Sequence, residues 1–306
     1  MFCEVSELDF SLYRIDWIRE LVSLLEDPEV IVHTAAWTAF DAFVKSVPKD
    51  ELEPLVVPLR RSIESTGAPG TTVPGFNLPK GVSPTVPIII AGLTTGSNEQ
   101  REQAAYAIGD LVERTEESAI KPFVVPFTGP LIRVATQATT YPPQVKTAIL
   151  SALTSMLERI PAFVKPFFPQ LQRTFVKSAS DPASSAVRGK AAQALGVLMR
   201  SQPRVDPVVT ELIVGVRGGE EGIATSLVGA LAEVVSSGSE NLGEKAREAC
   251  VDVVIEAFRN SHSGEWFLVG LWFFGAHVGV EHYCESIGRL VASLSDKPEL
   301  LRPLVE

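Results

Sequence analysis

One fourteen-residue stretch, AVRGKAAQALGVLM at 186–199, constrains the fold more than any other part of the sequence, because its spacing recurs. Counting from Arg188, small or apolar residues stand at +3, +6, +7 and +10: Ala191, Ala194, Leu195 and Leu198. These offsets share one face of a helix, and the small residues among them let a second helix approach closely. The pattern also follows His33 (Ala36, Ala39, Phe40, Phe43), Arg101 (Ala104, Ala107, Ile108, Leu111) and Lys146 (Ile149, Ala152, Leu153, Met156). Weaker copies begin at Ala224 and Gly264, so first positions are separated by 68, 45, 42, 36 and 40 residues.

A period near 40 is that of a two-helix HEAT-class unit, which buries its apolar faces only by stacking on its neighbours. The partner helices repeat as well, each opening with proline: EPLVVPLRRSI at 53, KPFVVPFTGPLI at 121, KPFFPQLQRTFV at 165 and VDPVVTELIVGV at 205. Proline costs little there, since first-turn N–H groups have no helical acceptor. Asp27-Pro28 and Asp181-Pro182 read as turns that start the next helix. No segment alternates with period two for long enough to demand a sheet. The expectation is an all-α fold, a HEAT-repeat α-solenoid of stacked antiparallel helix pairs forming one array over 1–306, with about six to seven repeats. Repeat character is weaker over 236–306.

The 68-residue interval holds an interruption at 65–83, STGAPGTTVPGFNLPKGVS, whose four glycines and three prolines exclude a helix. Gly70 to Gly75 has the spacing of a phosphate-binding GxxxxG. Phe76 replaces the required lysine, however, and no strand precedes it, so nucleotide binding fails and a surface connection over the repeats is expected.

Enzymatic chemistry has no residue-level support. No GxSxG, HExxH or GxGxxG is present, and no catalytic, cofactor-binding or metal residue is assigned. His33, His262, His277 and His282 lack ligand spacing. Cys3, Cys250 and Cys284 form neither a CxxC nor an even disulfide set, and Cys250 lies on an apolar helical face where packing is expected. The start MFCEVSELDF carries acids where a secretory leader needs a basic region, which points to a cytoplasmic chain. The uncharged run Trp266–Val280, 15 residues long, is short of the roughly 20 that a membrane span needs and reads as a buried helix pair. The acid pairs Glu116-Glu117 and Glu220-Glu221 suit helix starts, where they complement the positive end of the dipole.

Several segments resemble the large HEAT-repeat translational activators of the starvation-responsive initiation-factor kinase of general amino-acid control. They are VPGFNLPKGVSPTVPI (73–88), EQREQAAYAIG (99–109), FTGPLIRV (127–134), VKPFFPQLQRTFVKSASD (164–181), VRGKAAQALG (187–196) and RVDPVVTELIVGVR (204–217). They lie in one collinear block, 73–217. Residues 1–66 and 236–306 match loosely, and GEWFLVGLWFFGAH has no counterpart. The resemblance implies a protein-interaction scaffold near the C-terminal end of a longer protein, binding the kinase's N-terminal RWD domain. Competing RWD-domain proteins would share that surface, and the full-length protein would associate with ribosomes.

Charge sharpens this expectation. The formal net charge is −10, yet residues 121–204 hold eleven Lys and Arg against two acids, Glu158 and Asp181. The remainder therefore carries sixteen basic and thirty-five acidic residues, out of chain totals of 27 and 37. Such polarisation favours encounter with an acidic partner. Arg101, Arg133, Lys146, Lys165, Arg188 and Lys190 are the candidate partner-binding residues, Arg101 first by resemblance and Arg133 second. A competing account of Arg101, Lys146 and Arg188 is a structural ladder between repeats, with aspartates such as Asp27 and Asp181 in the turns. Under the binding account, Arg101→Glu abolishes RWD capture and leaves the thermal melt unchanged. The alternative function is a nucleic-acid or ribosome-binding module on the basic 121–204 segment. Its aromatic residues (Phe123, Phe127, Phe163, Phe167, Phe168, Phe175) fall at core spacing, which favours a protein partner.

Overall fold

A computed structural model describes residues 11–68, 70–137 and 141–260, together with 288, 289 and 292. Trp266–Val280, the copy at Gly264, Cys3, Cys284 and three of the histidines lie outside the described residues. Among the described residues every regular element is a helix. In order these are α1 (Arg14–Leu24), α2 (Val30–Ser46), α3 (Val56–Ser65), α4 (Thr85–Thr94), α5 (Asn98–Arg114), α6 (Glu117–Ile120) and α7 (Val124–Thr136). There follow α8 (Pro143–Arg159), α9 (Pro161–Val164), α10 (Phe168–Ala179), α11 (Ser185–Met199), α12 (Asp206–Gly218), α13 (Glu221–Gly238) and α14 (Glu244–Asn260). No single described helix is long and apolar enough to cross a membrane. Two compact units result, Met1–Phe168 and Pro169–Glu306.

The repeated pattern marks real helices: α2, α5, α8, α11 and α13 carry it, and its small and apolar positions are buried in each, Ala39 excepted. In the first unit the helices form two rows. One row stacks α1 on α3, α3 on α5 and α5 on α8; the other brings α2 to α4 and α4 to α7. In the second unit α11 stacks on α13 and α12 on α14.

This arrangement corrects the sequence reading at one point. The His33 helix, expected in line with those of Arg101 and Lys146, belongs to the opposite row, and the EPLVVPLRRSI helix α3 takes the place expected of it. Rows alternate along the chain, and three helix-to-helix steps separate α2 from α5, so the two fall on opposite sides. The defining offsets require only that a helix bury one face, and helices of both rows do so.

The prolines act as expected and in a uniform way. Lys121–Phe123 and Lys165–Phe167 form single 3₁₀ turns, each preceded by a one-turn helix (α6, α9) and followed by a long one. Pro130 lies inside α7. It removes the donor that would serve the carbonyl of Pro126, a residue on the exposed side where water can replace it.

The 65–83 interruption is a loop, but not a connection lying on the surface. Val73, Phe76 and Val82 are wholly buried. Its backbone is tied to three elements: Val73 N–H donates to Arg114 O (2.8 Å), Gly75 N–H donates to Leu25 O (2.8 Å), and Trp37 Nε1–H is shared by the carbonyls of Lys80 and Gly81 (3.2 Å each). Asn77 Oδ1 accepts Glu116 N–H at 2.8 Å. The loop thus closes the edge where α1, α3 and α5 end. Two glycines make this approach possible. A Cβ on Gly75 would stand 2.7 Å from Leu25 side-chain atoms, and one on Gly81 would meet the carbonyl oxygens of Gly75 and Phe76 at 2.4 Å.

Candidate functional site

The first position of the repeated pattern has one recurring job. A helix leaves its last carbonyls without partners, and a cation or N–H donor placed there is favoured by the dipole. His33 Nδ1 donates to Asp27 O (2.8 Å), which fixes the proton on Nδ1. Arg101 donates through Nη2 to Thr94 O (2.9 Å) and through Nη1 to Gly96 O. Arg188 donates through Nη1 to Asp181 O (2.9 Å) and through Nε to Ser226 Oγ on α13 (2.7 Å). Each side chain therefore clamps the helix end or turn that precedes its own helix, whichever row that helix occupies. The turn aspartates complete the corner: Asp27 Oδ1 accepts Glu29 N–H (2.8 Å), and Asp181 Oδ1 accepts the N–H groups of Ala183 (2.9 Å) and Ser184 (3.0 Å).

Arg101 is held further still. Its guanidinium lies over the Tyr141 ring, 5.0 Å from the centroid, in the turn before α8. Its Nε is buried without a hydrogen-bond partner. A glutamate here would aim a carboxylate at two carbonyl oxygens, so the expectation that Arg101→Glu leaves the melt unchanged is corrected by this geometry. Lys146, half-buried on the first turn of α8, is likewise not free.

The remaining candidates differ. Arg133, in the last turn of α7, and Lys165 are exposed, and their side chains make no hydrogen bond or ion pair to a described residue. Lys190 is half-buried and donates to Gln193 Oε1 (3.1 Å). Lys121, exposed, lies over the Phe163 ring at 5.0 Å. Of the aromatic residues in the basic segment, Phe123, Phe127, Phe168 and Phe175 are buried and Phe163 and Phe167 half-buried, so they offer no row of free stacking faces.

Sequence reasoning missed a charged cluster between α3 and α5. Arg60 pairs with Glu64 (2.6 Å) and approaches Asp110 (3.3 Å), which also faces Arg114 (3.7 Å). The Arg60–Asp110 approach lacks hydrogen-bond geometry, leaving Arg60 Nε and Asp110 Oδ2 buried with charge contact alone. Burial raises the Asp110 pKa above the ordinary carboxylate value, against the opposing pull of Arg60 and Arg114. Arg60 also stacks on Tyr106 (5.6 Å), whose own pKa burial and Glu102 push upward. The i,i+4 spacings Arg60/Glu64 and Asp110/Arg114 are the signal that could have found it. Among the described residues no group of three or more His, Cys, Asp or Glu could hold a metal ion. Cys250 is buried, and desolvation pushes its thiol up to about 12.

A family described as stalled ribosome sensor GCN1-like, HEAT repeats, matches residues 1–80, which includes the N-terminal part whose resemblance is loosest in the motifs above. The eIF-2-alpha kinase activator GCN1 of Saccharomyces cerevisiae is 40% identical over 262 residues, 85% of this chain. Protein ILITYHIA of Arabidopsis thaliana is 36% identical over 79% of the chain, and the stalled ribosome sensor GCN1 of Mus musculus 35% over 83%. The matches occupy 10%, 9% and 10% of those relatives, so the chain spans about a tenth of their length. Among solved structures, importin beta in an ammonium sulfate condition aligns at TM-score 0.58 and 17% identity, over 97% of this chain and 41% of that one. The Kap95:Nup1 complex aligns at 0.56 and 15%, over 98% and 39%. At such identities the likeness carries the fold alone, a solenoid of helical repeats. The sequence relatives carry more: over most of its length this chain is similar to GCN1 proteins and is a GCN1-like HEAT-repeat protein, spanning about a tenth of the length of those curated relatives.

Proposed function

We propose that this segment is a non-enzymatic scaffold in translation regulation, acting in the cytoplasm, that binds the N-terminal RWD domain of the starvation-responsive initiation-factor kinase and so supports its activation on ribosomes. The observation that carries the reading is the similarity, at 40% identity over most of the chain, to a protein named as an eIF-2-alpha kinase activator. Exposed cations support the reading. Arg101 and Arg188 are occupied within the fold, whereas Arg133 and Lys165 are exposed and unpaired among described residues. Arginine in particular can grip a carboxylate with two parallel hydrogen bonds.

Titrating the chain with the isolated RWD domain, and separately with RNA, at two salt concentrations tests this. The expected result is saturable RWD binding with modest salt dependence, and RNA binding that is weak and falls steeply with salt. Tight RNA binding without RWD binding would replace this reading with the nucleic-acid or ribosome-binding module.

A further inference from the structure

The two rows of the first unit present different surfaces to solvent. The row of α1, α3 and α5 is densely charged: Asp16, Arg19 and Glu20 on α1, Arg60, Arg61 and Glu64 on α3, and Glu99, Glu102, Asp110 and Glu113 on α5. Much of that charge is internally paired, as in Arg19–Asp16 (3.0 Å) and Arg60–Glu64 (2.6 Å). This is how a solvated helix face ordinarily looks.

The row of α2, α4 and α7 is the opposite. Neither α4 (TVPIIIAGLT) nor α7 (VVPFTGPLIRVAT) contains an acid. The single acid of α2, Asp41, is largely covered and held by Lys45. The exposed side of α2 carries Ile31, which is 83% exposed, Ala35 and Ala42 beside Thr34, Thr38 and Lys45, and no fully exposed acid. On α4 the outward positions include Pro87 and the half-exposed Ile90; on α7 they include Pro126 and Gly129. The space a Cβ would take on Gly129 is open, with nothing within 4 Å. The cations on this side are Lys45 at the end of α2, Lys80, on the loop tip that Trp37 of α2 holds by its carbonyl, Arg133 near the end of α7, and Lys121 just before it.

An apolar, acid-free face of this extent is not a solvent surface of the ordinary sort. Small residues at its centre permit close approach of another backbone, and an uncharged centre with charge at the rim is the anatomy of a protein interface. We propose that the outward face of α2, α4 and α7 is the docking surface of this segment, and that its occupant is a folded protein domain with an uncharged contact face and carboxylates at the edge, placed to meet Arg133 and Lys80. Resting on the function proposed above, that occupant is the RWD domain.

The test is calorimetric titration of the isolated RWD domain into the whole chain and its variants, each verified by circular dichroism. Ala42→Glu and Gly129→Glu add charge to the centre at positions open to solvent, and Arg133→Glu reverses the rim. Gly129→Ala is a neutral control, while Glu113→Lys and Arg61→Glu, both exposed, alter the opposite row. The outward-face glutamates and Arg133→Glu are expected to weaken binding at least ~10-fold, with Gly129→Ala and the opposite-row variants within ~3-fold of wild type. Loss confined to the opposite-row variants, or wild-type affinity in all three outward-face variants, overturns the docking surface and leaves the proposed function standing. A wild-type chain that does not bind the RWD domain overturns both.

Discussion

Replacing Arg101 tests whether the recurring basic position is a structural clamp. Two charge-assisted hydrogen bonds run from its guanidinium to Thr94 O and Gly96 O, each contributing about 1.5 kcal/mol when the acceptors are partly screened. Stacking on Tyr141 adds about 0.5 kcal/mol at this half-exposed site. Against this stands the buried, unpaired Nε, whose removal returns about 1 kcal/mol. Arg101→Ala is therefore expected to destabilise the first unit by about 2–3 kcal/mol. Arg101→Lys, which keeps the charge but loses the fork and the stacking, falls between wild type and alanine. Urea titration followed by far-ultraviolet circular dichroism reads the total, and amide exchange at Thr95–Arg101 localises it. An Arg101→Ala midpoint shift equivalent to under ~0.5 kcal/mol, with exchange unchanged, would refute the clamp, since surface substitutions without structural roles stay in that range. The same experiment guards the binding assay, because loss of RWD capture in an unstable Arg101 variant says nothing about the interface.

Three further outcomes follow from the geometry. Gly75→Ala and Gly81→Ala should each lower stability by at least ~2 kcal/mol in urea titration, the second more, because its Cβ meets backbone oxygens that cannot swing aside. Wild-type stability in both would mean that the 65–83 loop is not packed as described. Cys250 should resist iodoacetamide at pH 8 in the folded chain and react only on unfolding, as followed by mass spectrometry of each cysteine peptide, since its thiol is buried and pushed up to about 12. Asp110, with a pKa raised by burial, binds its proton more tightly folded than unfolded. Its contribution is thus greatest below the unfolded value, about 3.9, and is lost as pH rises through the raised folded value. The stability of wild type relative to Asp110→Asn should accordingly fall with rising pH across that window, and a rise would reverse the stated balance between desolvation and the two arginines.

What the sequence discloses, and what it hides, divides along physical lines. Periodicity is a property of one helix, so the offsets after Arg101, Lys146 and Arg188 are enough by themselves to identify buried faces. The row that a helix joins depends instead on how many helices separate it from the next, and the glycine-rich interruption obscures that number between His33 and Arg101. The apolar residues of the interruption give little warning of their burial, because Val73, Phe76 and Val82 follow neither a helical nor a strand period. Local composition also misleads at the basic positions. Arg101 and Arg188 look like rungs of a binding strip, but a helix end offers unpaired carbonyls within reach of the next helix's first turn, and a long cation there satisfies them.

The row assignment decides what the surface means. With α2 counted among the charged helices, its outward Ile31, Ala35 and Ala42 would be scattered apolar residues of the kind any surface carries. Placed beside α4 and α7, they continue a face on which two successive helices contain no acid. Average charge hides this as well, since none of the acids that make the chain −10 lies on α4 or α7. The clamps at His33 and Arg101 and the buried loop hold the helices of the first unit in register. Rigid registration lets side chains from three separate helices act as one surface, so substitutions at the clamps should weaken binding only as far as they loosen the fold, whereas Gly129→Glu should weaken it with the fold intact.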